Sequence, residues 1–260
     1  MRIAFGILLA LTAVTASANP SGRLTVLVPI NPGIVVGAGG TWTTTLWATN
    51  NGDTDATIDC SNAPCQVLKA HSTAAVAMPH PNLTHQGFFG GVLSGLIINP
   101  VGADQVSFSL RVTDSVSGPQ SAGSDIPLPR PSAFHNATIS LAHIPVNSHS
   151  RSRVRLYGMA NGSATVRVIG VQSNQELFAT TIPITGVDTN PGFPPAPDFP
   201  SYGEIALPDS YPGSDTAVRV EITPAGDLRI WGFASVTDNV SQQFLIVAPP
   251  EMEYVPVSLL

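Results

Sequence analysis

Short runs of alternating apolar and polar residues, rich in Val, Ile, Thr and aromatics, recur along the chain, broken at close intervals by Gly, Pro, Asn and Asp. Alternation with a period of two puts successive side chains on opposite faces of an extended strand. Strands are predicted at Leu24–Ile30, Thr41–Thr49, Ala56–Asp59, Val106–Asp114, Ala137–Ile144 and Arg153–Met159, and then at Ala164–Val171, Leu177–Ile184, Ala217–Thr223, Leu228–Thr237 and Phe244–Ala248. Asn51-Gly52 and Asn161-Gly162 carry hairpin-turn chemistry, since Asn and Gly tolerate positive φ. Pro224-Ala225-Gly226-Asp227 reads as a further turn, and Gly37-Ala38-Gly39-Gly40 as a hairpin end. Gln86–Ile98 is apolar but too glycine-rich for a helix, and reads as strand plus turn. Ser72–Met78 is assigned one helical turn.

The predicted strands fall into two series. Val28-Pro29-Ile30-Asn31 answers Ile144-Pro145-Val146-Asn147, the segment Leu46–Gly52 answers Leu156–Gly162, and Val112–Ser117 answers Val236–Ser241. The offsets are 116, 110 and 124 residues, so the halves differ in loop length, with extra chain near Gly33–Gly40 in the first and near Asn190–Pro200 in the second. Insertions of this kind belong in surface connections. Repeated short strands without intervening helices point to an all-β fold of two tandem β-sandwich domains. The boundary is set near Pro127–Ser132, where Pro127, Pro129 and Pro131 suggest a stiff linker.

The stretch Thr43–Ile58, with Leu46-Trp47-Ala48-Thr49-Asn50-Asn51-Gly52 at its centre, resembles the strand, Asn-x-Gly turn and strand core of immunoglobulin-like repeats in bacterial surface and secreted proteins, including cell-adhesion-related domains. The resemblance covers about sixteen residues and recurs more weakly at Val154–Val171. It implies two tandem immunoglobulin-like β-sandwich domains, 19–130 and 131–260, and a role in scaffolding, spacing or adhesion. No family-wide catalytic residues carry over to this chain.

The N-terminus adds a compartment. Met1-Arg2, an apolar run from Ile3 to Val14 and Ala16-Ser17-Ala18 make the parts of a signal peptide, residues 1–18, cleaved after Ala18. No later apolar run is long enough to span a bilayer. The mature chain is therefore expected to be secreted or periplasmic and without a membrane span. In that oxidising setting Cys60 and Cys65 are expected to form a local disulfide, a redox pair being the rival reading.

Charged residues make up only 11% of the 260 residues, while Gly and Pro number 23 and 24, a balance that suits strands joined by turns better than solvated helices. Net charge is −6, and Arg151, Arg153 and Arg155 alone form a basic ridge, flanked by His149. A nucleic-acid groove needs a broader basic face with stacking aromatics, so nucleic acid is excluded as a partner.

Motifs for chemistry are missing. There is no G-x-S-x-G, no H-E-x-x-H and no Walker or dinucleotide pattern. His71, His80 and His85 share one loop-rich region, but their spacing suits exposed histidines better than a metal site. Asp53, Asp55 and Asp59 begin like a calcium loop and then fail it, with Ile58 where Gly is needed and Pro64 where Glu is needed. Asp114 and Asp238, at matching places in both halves, read as turn caps. Trp47 and Tyr157 are expected to fill the two cores, leaving Trp42 on the opposite strand face as either a packed residue or a sugar-stacking platform. Phe193, Phe199, Tyr202 and Tyr211 form a second candidate contact group.

The sequence thus predicts a non-enzymatic interaction or structural module without cofactor, whose partner is an envelope or extracellular protein or a glycan. Carbohydrate binding through Trp42 or the Phe193–Tyr211 loop is the alternative, and a hydrolase with a site between the domains the third.

Overall fold

A computed structural model describes residues 23–29, 33–37, 40–59, 64–76, 91–97, 105–114, 123–186, 201–211, 213, 215–241 and 243–249. The described residues are all-β, with antiparallel sheets and no α-helix, as a β-sandwich requires. None of them forms a helix long and apolar enough to cross a membrane.

The first nine strands are β1 (Arg23–Val28), β2 (Gly33–Gly37), β3 (Gly40–Asn50), β4 (Ala56–Asp59), β5 (Pro64–Leu68), β6 (Ser72–Ala75), β7 (Gly91–Ile97), β8 (Val106–Asp114) and β9 (Ser124–Ile126). After a 3-10 turn at Pro131–Ala133 come β10 (Ile139–Pro145), β11 (Ser150–Gly158), β12 (Gly162–Gly170), β13 (Glu176–Ile184), β14 (Ser201–Leu207), β15 (Ala217–Pro224), β16 (Ile230–Asp238) and β17 (Phe244–Val247). The pairings repeat in order. β1 pairs with β7 as β10 does with β15, and β4 with β5 as β12 does with β13. β3 lies between β6 and β8 as β11 lies between β14 and β16, and β9 extends β8 as β17 extends β16. β2, paired to the start of β3 with Gly37 opposite Gly40, occupies the glycine-rich extra segment of the first half.

Two local expectations are corrected. Ser72–Ala75 is a strand, β6, whose pairing with Trp47–Asn50 outweighs the weak helical preference of four residues. Asn51-Gly52 and Asn161-Gly162 are not hairpin turns, because β3 and β4, like β11 and β12, belong to different sheets. Both dipeptides carry the chain from one sheet to the other. Asn50, 1% exposed, anchors the first crossing: its amide donates to the carbonyls of Thr54, Leu68 and Lys69, and its Oδ1 accepts from the Gly52 amide. A Cβ at Gly52 would lie 1.9 Å from Oε1 of the exposed Gln105, so a larger residue here requires that flexible side chain to move aside.

The central strands β11 and β16 of the sheet β14-β11-β16-β17 are buried on both faces along residues 154–158 and 230–237. On one face Val154, Leu156, Ile230, Ala234 and Val236 pack with Leu141, Val166, Val168, Val220 and Ile222 of β10-β15-β12-β13. On the other face Tyr157, Trp231 and Phe233 join a core whose other buried members, Phe134 apart, come from the first half, including Val28, Trp42, Leu46, Ile58, Leu68 and Leu110. A strand covered on both sides must be apolar at consecutive positions, and Ile230-Trp231-Gly232-Phe233-Ala234 meets that need. Gly232 lets β16 lie close to β11, since a Cβ there would meet the Arg155 carbonyl oxygen at 2.6 Å.

The connection between the halves is part of this core. Leu128 packs against the cluster, Pro129 is buried, and the Leu27 amide donates to the Pro129 carbonyl at 2.9 Å. The proline-rich segment is therefore held along its length instead of spanning solvent as a spacer.

Candidate functional site

Among the described residues, the sequence-nominated Trp42, Tyr202 and Tyr211 do not form one exposed contact surface. Trp42 is 7% exposed and faces the first core, while Trp47, expected in the core, is 39% exposed. Strand alternation does separate the two tryptophans, as their odd spacing demands, and it overturns the expected burial of Trp47, while Trp42 takes the packed alternative. Leu46 and Ala48, both fully buried, share the face of Trp42, whereas Trp47 shares its face with Thr41, Thr43, Thr45 and Thr49. Tyr157 is buried, as expected.

Tyr202 lies on β14, not in a loop. Its ring packs 5.4 Å from that of Tyr157, and its hydroxyl donates to Glu204 Oε2 at 2.6 Å. Burial, aided by that hydrogen bond, pushes its pKa well above the usual phenol range. Tyr211 packs instead against the second core, where burial pushes its pKa up to about 12. Phe193, Phe199, His80, His85 and Cys60, like the signal peptide, lie outside the described residues.

The basic ridge does form. Arg151, Arg153 and Arg155 alternate along β11 on the face that turns toward the first half. The Arg151 guanidinium lies 5.8 Å from the ring centroid of Trp42. Arg153 Nη1 meets Glu204 Oε1 at 2.6 Å, and Arg155 Nε lies 3.7 Å from Glu204 Oε2. Arg155, only 4% exposed, also donates to Ser235 Oγ at 2.6 Å and lies 5.7 Å from the Phe233 ring centroid. One carboxylate thus serves both guanidiniums and the Tyr202 hydroxyl. Charge inside a core requires such pairing, so buried Arg155, with half-exposed Arg153 beside it, ties β11 to β14 and β16 within one sheet. Glu204 and Ser235 went unnoticed in the sequence; the register that puts Glu204 opposite Arg155 was the missing signal.

The acidic candidates are committed to local contacts. Asp53 meets His71 Nε2 at 2.9 Å, and Asp55 meets Lys69 Nζ at 2.7 Å while accepting from the Ala70 amide. The Lys69 hydrogen bond, followed by that of Ala70, holds the Asp55 pKa below the ordinary carboxylate value. Asp238 accepts from the amides of Val240 and Ser241, capping the turn after β16. Among the described residues no group of three His, Cys, Asp or Glu side chains is arranged to hold a metal ion.

The sheet of β3, β6 and β8 has a different outer face. Trp47 sits between Ala75 on β6 and Ser109 on β8, with Thr45 and Thr49 before and after it along the strand. Thr49 and Thr73 hydroxyls meet at 2.9 Å, and Ser107, Ser109 and Thr113 continue the hydroxyl-bearing surface. Arg111 is balanced there by Asp125, 4.0 Å away.

No known protein family, no curated protein and no solved structure matches this chain.

Proposed function

We propose that the chain is a secreted or periplasmic, non-enzymatic interaction module, made of a signal peptide (1–18) and two tandem immunoglobulin-like β-sandwich domains (19–130 and 131–260). The observation that carries this reading is the middle of the sheet β14-β11-β16-β17, strands β11 and β16, packed on one face by its own sandwich partner and on the other, at Tyr157, Trp231 and Phe233, by the first half. Such a middle layer fixes two sandwiches relative to each other, and a surface presented on rigid elements loses less entropy when it binds a partner. The twofold recurrence of the strand pairings supports the tandem organisation. Within the immunoglobulin-like architecture the order β10-β15-β12-β13 against β14-β11-β16-β17 gives the units their own connectivity. A Cys60–Cys65 disulfide belongs to the same reading, supported by the β4–β5 hairpin, in which Asp59 stands opposite Pro64.

The test is an affinity pull-down with residues 19–260 against envelope and culture-fluid extracts of the source, with retained proteins and glycans identified by mass spectrometry. A saturable partner is expected. A cofactor-free hydrolytic activity abolished by a single Asp or His substitution would replace this reading with the hydrolase alternative. Carbohydrate binding is the second reading, favoured by one observation, the exposure of Trp47 on a hydroxyl-bearing sheet face.

A further inference from the structure

The two halves carry equivalent faces that have diverged in a chemically specific way. By the offset that relates β3 to β11, Thr41, Thr43, Thr45 and Trp47 stand where the second half has Arg151, Arg153, Arg155 and Tyr157. Through the strand pairings, Ser109, opposite Trp47, stands where it has Trp231, opposite Tyr157, and Arg111, opposite Thr45, stands where it has Phe233, opposite Arg155. The second-half face is covered: Tyr157, Trp231 and Phe233 lie in the first core, and Arg155 is buried among them. On the first-half face every arginine of the ridge is replaced by threonine, Trp231 by Ser109 and Phe233 by Arg111, yet the position of Tyr157 keeps an aromatic, Trp47.

We infer that this outer face of β6-β3-β8, centred on Trp47, is a binding platform for an uncharged polysaccharide; the inference rests on the interaction-module reading and names its ligand. The charge on the face decides the class. Arg111 has Asp125 4.0 Å away, so the two together add no net charge to the face. A protein partner of ordinary stability would need an apolar centre, and this face offers one indole surrounded by hydroxyls. A neutral sugar chain matches both parts: its C–H faces stack on an aromatic ring, and its hydroxyls exchange hydrogen bonds with Thr45, Thr49, Thr73, Ser107 and Ser109. Ala75, opposite Trp47 on β6, has no bulk to obstruct the ring. Twist is shared by three paired strands, so the platform is extended along β3 and suits a chain better than a single sugar.

The experiment is affinity electrophoresis of residues 19–260 through gels containing dextran, soluble starch or hydroxyethylcellulose, with alginate as the acidic polymer, at low and high salt. Retardation by at least one neutral polymer is expected, unchanged by salt. Trp47→Ala should weaken it at least about tenfold, Trp47→Tyr should restore most of it, and Met159→Ser, a distant exposed apolar position, should leave it intact. Far-ultraviolet circular dichroism of each variant separates lost binding from lost folding. Retardation that survives Trp47→Ala in a folded chain, binding to alginate alone, or no retardation by any neutral polymer would overturn the inference. If no neutral polymer binds while the chain captures a saturable protein partner, the platform fails and the interaction module stands; if nothing is captured either, both fail.

Discussion

Tyr157 donates its hydroxyl hydrogen to the main-chain carbonyl of Pro29, 2.5 Å away and 128 positions earlier in the chain. The bond joins the middle sheet to the end of β1, with both groups buried. Burial pushes the phenol pKa upward, Arg155 opposing that shift, so the hydroxyl remains a donor across the accessible pH range. Tyr157→Phe keeps the ring packed against Tyr202 and Trp231 but leaves the Pro29 carbonyl unsatisfied. A loss of about 1–3 kcal/mol is expected. Urea denaturation of the variant would measure it, and an unchanged midpoint would show that the contact adds nothing to the joining of the halves.

Glu204 serves Arg153, Arg155 and Tyr202 at once, and the three contacts differ in worth. Arg153 is half-exposed, so Arg153→Ala should cost less than about 1 kcal/mol, as surface ion pairs do. Glu204→Gln removes the formal charge facing the buried Arg155 and should cost about 2 kcal/mol or more. The ordering of the two variants in denaturant is the readout. Equal, small effects would mean that Ser235 and the Phe233 ring satisfy Arg155 without the carboxylate.

Much of the fold was legible because it rests on local pattern. Ala56–Asp59 and Val106–Asp114 begin and end where alternation and turn residues put them. The short partners β5, β6 and β9 went unrecognised, since three to five residues carry too little periodicity and owe their form to a neighbouring strand. β14 has no strand signal of its own because the prolines on either side of it and the grouping of Tyr202 with Phe193, Phe199 and Tyr211 suggest a contact loop; its pairing with β11 supplies what local propensity lacks. The exposure of Trp47 has a plainer cause. Even positions of β3 hold Trp42, Leu46 and Ala48, odd ones four threonines and Trp47, so parity favoured the observed burial. Equating Trp47 with the buried Tyr157 misled, because burial on both faces is a property of layer order, and layer order is not written in either strand.

Asp215 gathers the turn between β12 and β13. Its Oδ1 accepts from the amides of Gln172 and Ser173, and its Oδ2 from the Ser173 hydroxyl. The Ser173 side chain, then its amide, lowers the carboxyl pKa below the ordinary value. A depressed folded pKa contributes stability that is present above the unfolded pKa, about pH 4, and is lost as pH falls through the folded pKa. Asp55 and Asp238, lowered by their own hydrogen bonds, act in the same direction. Urea midpoints should therefore fall as pH drops from about 5 toward 2. Asp215→Asn should flatten that slope, and an unaltered slope would assign the acid sensitivity to other carboxylates.

The Cys60–Cys65 disulfide proposed above closes a loop of six residues at the tip of the β4–β5 hairpin. Chain entropy assigns so short a loop about 2 kcal/mol at most. Leu68 and Ile58 of the same hairpin are fully buried in the first core, so the strands beside the bridge are anchored by packing as well. Reduction should lower the urea midpoint modestly, without unfolding the chain, and the Cys60→Ser, Cys65→Ser double variant should behave like the reduced protein. Intact-mass analysis of chain secreted into an oxidising compartment, compared before and after reduction, tests the bond itself. Free thiols in freshly secreted chain would exclude the disulfide; collapse of the fold on reduction would mean that the hairpin depends on the bridge more than on Ile58 and Leu68.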